Sequence, residues 1–70
     1  MSVAEQILAL IHRRPGLTET ELAETLFPEG PYQQRVNSTC RTLVKAGKLT
    51  RRGLGGPGDP YRYHLSAPPH

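Results

Sequence analysis

Apolar residues recur at three- and four-residue intervals through the first two thirds of the chain and alternate with polar ones near its end, so the pattern passes from helix to strand. Val3, Ile7, Leu10 and Ile11 form the first stripe. Ser2 and Glu5 stand at the spacing of a capping box, in which each side chain satisfies a backbone amide that the first helical turn leaves free. Pro15-Gly16 stops the pattern, which predicts a helix over roughly 3–13. Thr18 and Glu21 repeat the box, and Leu17 before it and Leu22 after it have the positions of a hydrophobic staple. Leu22, Ala23, Leu26 and Phe27 then supply an apolar face until Pro28-Glu29-Gly30-Pro31 breaks a second helix of about two turns. Tyr32, Val36, Cys40, Leu43 and Val44 make the third stripe and predict a helix over roughly 31–46. Pro31 suits its first position, where a missing amide hydrogen costs nothing, and Gly47 suits the left-handed position just past its end.

Beyond Gly47, Lys48-Leu49-Thr50-Arg51-Arg52 reads as a strand, and Tyr61-Arg62-Tyr63-His64-Leu65 alternates with Tyr61, Tyr63 and Leu65 on one face. The intervening run from Gly53 to Pro60 has the composition of a long, mobile hairpin tip. Residues 1–66 are expected to form one α+β domain of three helices followed by a two-stranded hairpin, with 67–70 a disordered tail or the start of a linker.

Charge changes the picture more than length does. Seventy residues, 36% of them hydrophobic, suffice for one small core near the lower limit for unaided folding. Residues 1–30 hold two arginines against five glutamates, whereas residues 31–70 hold seven lysines and arginines against Asp59 alone. A basic half of this kind is the electrostatic footprint expected of a polyanion binder.

The third helix carries the chemistry that such a partner needs. Opposite its apolar stripe stand Gln34, Asn37, Ser38, Arg41 and Lys45, a set of amides, a hydroxyl and cations able to meet base edges in a major groove. Lysine and glutamate are the commoner choice for a helix face with no partner. Other chemistries find little support. A phosphate-cradling glycine loop after a strand, a nucleophile with a base, and a metal-ligand spacing among His12, His64, His70 and Cys40 are all missing, so neither catalysis, a metal nor a cofactor is expected. The carboxylates of Glu19, Glu21 and Glu24 complement the dipole of the second helix. Cys40, alone and on an apolar stripe, is expected in the core. The run from Ile7 to Ile11 is too short and too flanked by charge for a membrane span or a secretory signal. The expected location is intracellular and cytoplasmic, nucleoid-associated in a bacterium.

In this order and spacing, Pro15-Gly16-Leu17-Thr18 leading into Glu21-Leu22-Ala23, then Val36-Asn37 with Leu43, then Ala46-Gly47-Lys48-Leu49 leading into Arg51, resemble the winged helix-turn-helix family of DNA-binding domains. The resemblance covers nearly the whole chain. The connection Phe27-Pro28-Glu29-Gly30-Pro31 departs from it, being longer and richer in proline than a tight helix-turn-helix corner. The resemblance implies a small winged helix that binds double-stranded DNA, as a transcriptional regulator, with the third helix as recognition helix. Gln33, Gln34, Asn37, Ser38 and Arg41 then become the base-reading residues. Lys45, Lys48, Arg51, Arg52 and Arg62, near the helix end and the wing, become phosphate contacts that position without reading sequence. Winged helices also serve as protein-interaction modules, so a protein partner or a further domain of a larger chain stands as the alternative. A narrower similarity is to Z-DNA-binding winged helices, through Asn37 ten residues before Gly47 and through Pro60 and Tyr61 in the wing. In that group's pattern a tyrosine falls on Arg41 and a lysine on Gln33, so this reading is the lesser one.

Overall fold

Residues 1–66 are described by a computed structural model. The expected tail at 67–70 lies outside the described residues. Helix α1 (Val3–Arg13) opens on the Ser2–Glu5 box, with Glu5 N–H donating to Ser2 Oγ at 3.1 Å and Ser2 N–H to Glu5 Oε1 at 3.2 Å. Helix α2 (Glu19–Leu26) opens on the second box, with Thr18 N–H donating to Glu21 Oε1 at 2.9 Å. Helix α3 (Gln33–Lys45) ends in a full Schellman motif. Lys48 N–H donates to the Leu43 carbonyl at 2.9 Å and Gly47 N–H to the Val44 carbonyl at 3.0 Å, while Gly47 takes the left-handed φ of 75°.

The start of α3 differs from expectation. Tyr32, with φ −98° and ψ 7°, caps it without a side-chain bond, so Pro31 lies outside the helix instead of at its first position. The Tyr32 ring leaves the helix's apolar stripe and rests against Phe27, with ring centroids 4.7 Å apart. That pairing closes the corner between α2 and α3 and keeps Tyr32 42% exposed. The buried stripe of α3 begins instead at Val36 and continues through Cys40 and Leu43.

The sheet has three strands where two were expected. Leu17–Thr18 forms β1, which pairs antiparallel with β3 (Arg62–Leu65), and β3 pairs antiparallel with β2 (Leu49–Arg52), giving the order β1-β3-β2. Leu17 thus serves as a strand residue directly before the α2 cap, opposite Tyr63. Both hairpin strands start one residue later than the alternation suggests, and Tyr61 precedes β3. The tip between them is hydrogen-bonded within itself: Leu54 N–H donates to Asp59 Oδ2 at 3.1 Å, Gly55 N–H to the Asp59 carbonyl at 3.0 Å, and Asp59 N–H to the Gly56 carbonyl at 3.1 Å.

The core unites the pieces. Ile7, Leu10 and Ile11 of α1, Leu22 and Ala23 of α2, Val36, Cys40 and Leu43 of α3, Leu49 of β2 and Tyr63 of β3 are buried in one cluster. Each large side chain so buried contributes roughly 1.5–3 kcal/mol. Tyr63, on the central strand, packs the helix-facing side of the sheet, and this fixes which side of the hairpin its neighbours take. The chain is α+β, and no helix among the described residues is long and apolar enough to cross a membrane.

Candidate functional site

With Val36, Cys40 and Leu43 turned into the core, α3 presents its other side to solvent. Gln33, Gln34, Arg35, Ser38, Arg41 and Lys45 are exposed and Asn37 is half-buried. Gln34, Ser38, Arg41 and Lys45 follow one another at steps of four, three and four residues, so they form one stripe along the helix. Two threonines next to this stripe are turned inward on their own helix: Thr39 Oγ1–H donates to the Arg35 carbonyl at 2.8 Å and Thr42 Oγ1–H to the Ser38 carbonyl at 3.1 Å.

Sheet register sorts the basic residues of the hairpin into two sets. Arg51 stands opposite Tyr63 and shares its helix-facing side, whereas Arg52 stands opposite Arg62 on the outer side. Arg51 therefore joins α3: together with Ser38, Arg41 and Lys45 it lines a groove between α3 and β2. Its guanidinium also lies over the Tyr61 ring, with Cζ 4.1 Å from the centroid. Tyr61 belongs to a second groove, formed by Gln33 and Asn37 of α3, Pro60 and Gly55 of the tip, and Thr18 to Thr20 at the start of α2. Gln33 Nε2–H donates to Asn37 Oδ1 at 2.8 Å there, a bond that uses one of the two Gln33 amide hydrogens and one lone pair of the Asn37 oxygen.

Six of the ten residues expected from the sequence are thus brought together, Gln33, Asn37, Ser38, Arg41, Lys45 and Arg51, across two adjoining grooves joined at the Arg51–Tyr61 pair. Gln34 shares the α3 stripe but lines neither groove. Lys48 is exposed at the helix exit. Arg52 and Arg62 face the far side of the sheet, where Arg62 Nη1 donates to the Gly16 carbonyl at 3.1 Å and lies 3.8 Å from Glu21 Oε1. The sequence treats the wing cations as one group because it does not reveal how the strands pair.

Sequence reasoning missed the α2 wall of the second groove. Glu19 is the one carboxylate among the residues lining either groove. Its charge also reaches inward. Burial pushes the Cys40 thiol up to about 12, with Glu19 adding to the effect, so Cys40 is a protonated core side chain at neutral pH. Burial, then Glu19 and Cys40, likewise hold the Tyr63 phenol at about 12. The signal for this wall lies in the chain: Thr18, as cap, and Glu19 and Thr20, as first-turn residues, all sit where a helix N-terminus meets the sheet.

The chain matches no family model, no curated protein and no solved structure.

Proposed function

We propose that the protein is a winged helix-turn-helix that binds double-stranded DNA, with α3 in the major groove and the β2–β3 hairpin as the wing along the backbone. The observation that carries this reading is the α3–β2 groove, where Ser38, Arg41, Lys45 and Arg51 converge without a carboxylate among its lining residues. Hydroxyl, guanidinium and ammonium donors at that spacing suit a polyanion whose edge also presents acceptors. Arg41, in mid-stripe, is assigned to a guanine O6/N7 edge, and Gln34 or Asn37 to an adenine N6/N7 edge; each such pair is worth about 1–3 kcal/mol of discrimination. Lys45 and Arg51 are assigned to phosphates, and Lys48 to a phosphate at the helix exit. Arg52 and Arg62, on the far side of the sheet, fall outside this interface. Regulation of transcription is the role that a single reading head of this kind serves.

One arrangement favours a second substrate form. Asn37, Pro60 and Tyr61, on which the likeness to Z-DNA-binding winged helices rests, share one groove. Left-handed duplex therefore belongs among the test ligands.

The test is an NMR titration of isotope-labelled protein with random duplex at two salt concentrations, followed by a left-handed duplex. The reading requires shifts concentrated in residues 33–45 and in the hairpin from 48 to 61, weakening as salt rises. A folded spectrum that does not change at low salt sinks it. The alternative, a protein-interaction module, draws on the apolar corner between α2 and α3.

A further inference from the structure

Two features outside the DNA-binding grooves are complementary to each other. The first is Leu54, 87% exposed at the wing tip. Its placement is built into the backbone. Gly53 and Gly55 flank it at φ 108° and 85°, conformations that other residues rarely adopt. A Cβ at Gly53 would lie 2.7 Å from the Pro60 carbonyl oxygen, and one at Gly55 would lie 2.6 Å from the Tyr61 ring. Asp59 then holds the Leu54 and Gly55 amides. Two sterically required glycines and an aspartate thus fix a large apolar side chain outward in water, with Arg51 and Arg52 just before it in the chain.

The second feature is the corner between α2 and α3. Leu26, Phe27, Pro28, Gly30 and Tyr32 line an open cavity of about 290 Å³, and Tyr32 stays exposed against Phe27. Glu29 belongs to this lining, and Glu24 borders the adjoining depression. Among the described residues no cation lines either one. The corner is apolar with an acidic rim, and at the wing tip Leu54 has Arg51 and Arg52 before it and one carboxylate, Asp59, tied to the Leu54 amide.

We propose that Leu54 of one molecule seats in the Phe27–Tyr32 corner of a second copy, with Arg52 facing Glu29 and Glu24. The occupant is a second copy because one chain carries both the projecting leucine and the cavity, with opposite charges around them. The two surfaces are different, so the contact either closes reciprocally in a two-fold pair, each tip in the other's corner, or runs head to tail and adds further copies in line. A contact of one leucine and a few ion pairs is small, weak and salt-sensitive in free solution. It gains strength where copies are held side by side on a shared scaffold. This association does not depend on DNA.

The experiment follows isotope-labelled protein by NMR as it is diluted at low salt. The expected result is a concentration-dependent set of shifts in two places, the tip around Leu54 and the corner from Leu26 to Tyr32, both suppressed by added salt. Leu54→Ser keeps the glycines and Asp59 and is expected to abolish both sets. Arg52→Glu and Glu29→Arg are each expected to weaken the association, and the two together to restore it. Shifts in neither place on dilution would leave tip and corner to another partner and overturn the proposal. Shifts confined to one surface would overturn it too, as would shifts that survive Leu54→Ser or a double charge exchange that restores nothing.

Discussion

Arg51 lies over the face of Tyr61, its guanidinium carbon 4.1 Å from the ring centroid, and this pair forms the seam between the two grooves beside α3. A stacked guanidinium keeps its N–H edge available to a second partner, so the ring orients the cation without consuming its donors. We expect Tyr61→Leu to weaken duplex binding about two- to fivefold, the equivalent of the ~0.5–1 kcal/mol typical of an exposed cation–π pair. The salt dependence should not change, because the charge of Arg51 remains. Fluorescence anisotropy with a labelled duplex over a salt series measures both, and unaltered affinity would remove Tyr61 from any part in orienting Arg51.

The register of β2 and β3 separates Arg51 from Arg52 and Arg62. Arg51→Ala is expected to lower the slope of log affinity against log salt by about 0.9, one phosphate's worth. Arg62→Ala is expected to leave that slope alone, since its guanidinium is engaged at the Gly16 carbonyl and beside Glu21 on the far side of the sheet. Arg41→Ala should weaken a preferred site much more than random duplex. Equal losses on both duplexes would end the base-reading role of Arg41, and a slope change for Arg62→Ala would return it to the interface.

What the sequence reveals here follows the range of each interaction. The capping boxes at Ser2 and Thr18, the Gly47 stop and the buried stripes of α1 and α3 depend on residues a few positions apart, and each is legible. β1 is two residues long, too short for any period, and exists only because β3 returns to pair with it. The position of Tyr32 depends on Phe27 reaching it across the corner, and the ordering of the tip depends on Asp59. At the site, the polar stripe of α3 is legible for the same reason as its apolar one. The division of Arg51 from Arg52 and Arg62 is not, because it rests on which side of the sheet Tyr63 buries.

Tyr63 itself yields a stability prediction. Its ring is fully buried, and its hydroxyl makes no hydrogen bond of good geometry among the described residues, although Arg51 and Glu19 stand near enough to act on it. An unsatisfied buried hydroxyl costs about 1–3 kcal/mol. Tyr63→Phe keeps the ring and removes that cost, so stability should rise by about 1 kcal/mol, or roughly 4–8 °C in melting temperature for a domain of this size. A fall in melting temperature would show that the hydroxyl is satisfied in solution.

Acid should be felt through Glu21. The Thr18 backbone N–H, donating to its carboxylate, holds Glu21 below its ordinary 4.5, against a smaller opposing effect of burial. A depressed carboxylate contributes stability that is present above 4.5 and is lost as pH falls through the folded value. Glu21→Gln, which keeps an acceptor for the Thr18 amide, should flatten the decline of stability below that pH. Chemical denaturation followed by circular dichroism across the acid range reads this directly, and an unchanged decline would assign it to other carboxylates.

At the alkaline end the sign is reversed. Cys40 rises from 9.0 and Tyr63 from 10.0 to about 12 in the folded chain, both through burial first and the Glu19 charge second. Above pH 9 the unfolded chain releases a thiol proton that the folded chain retains, and above pH 10 a phenol proton as well. The stability tied to these groups is therefore intact below pH 9 and falls as pH climbs toward 12, by up to about 1.4 kcal/mol per pH unit for each group. Cys40→Ala removes the first step. It should lower stability at neutral pH, because it empties part of the core, yet make the loss between pH 9 and 10 shallower. Tyr63→Phe should remove the later step alone. Denaturant midpoints measured at intervals from neutral pH upward separate the two. If Cys40→Ala and the parent chain lose stability in parallel above pH 9, the thiol is open to water and Cys40 is not the core residue that its burial indicates.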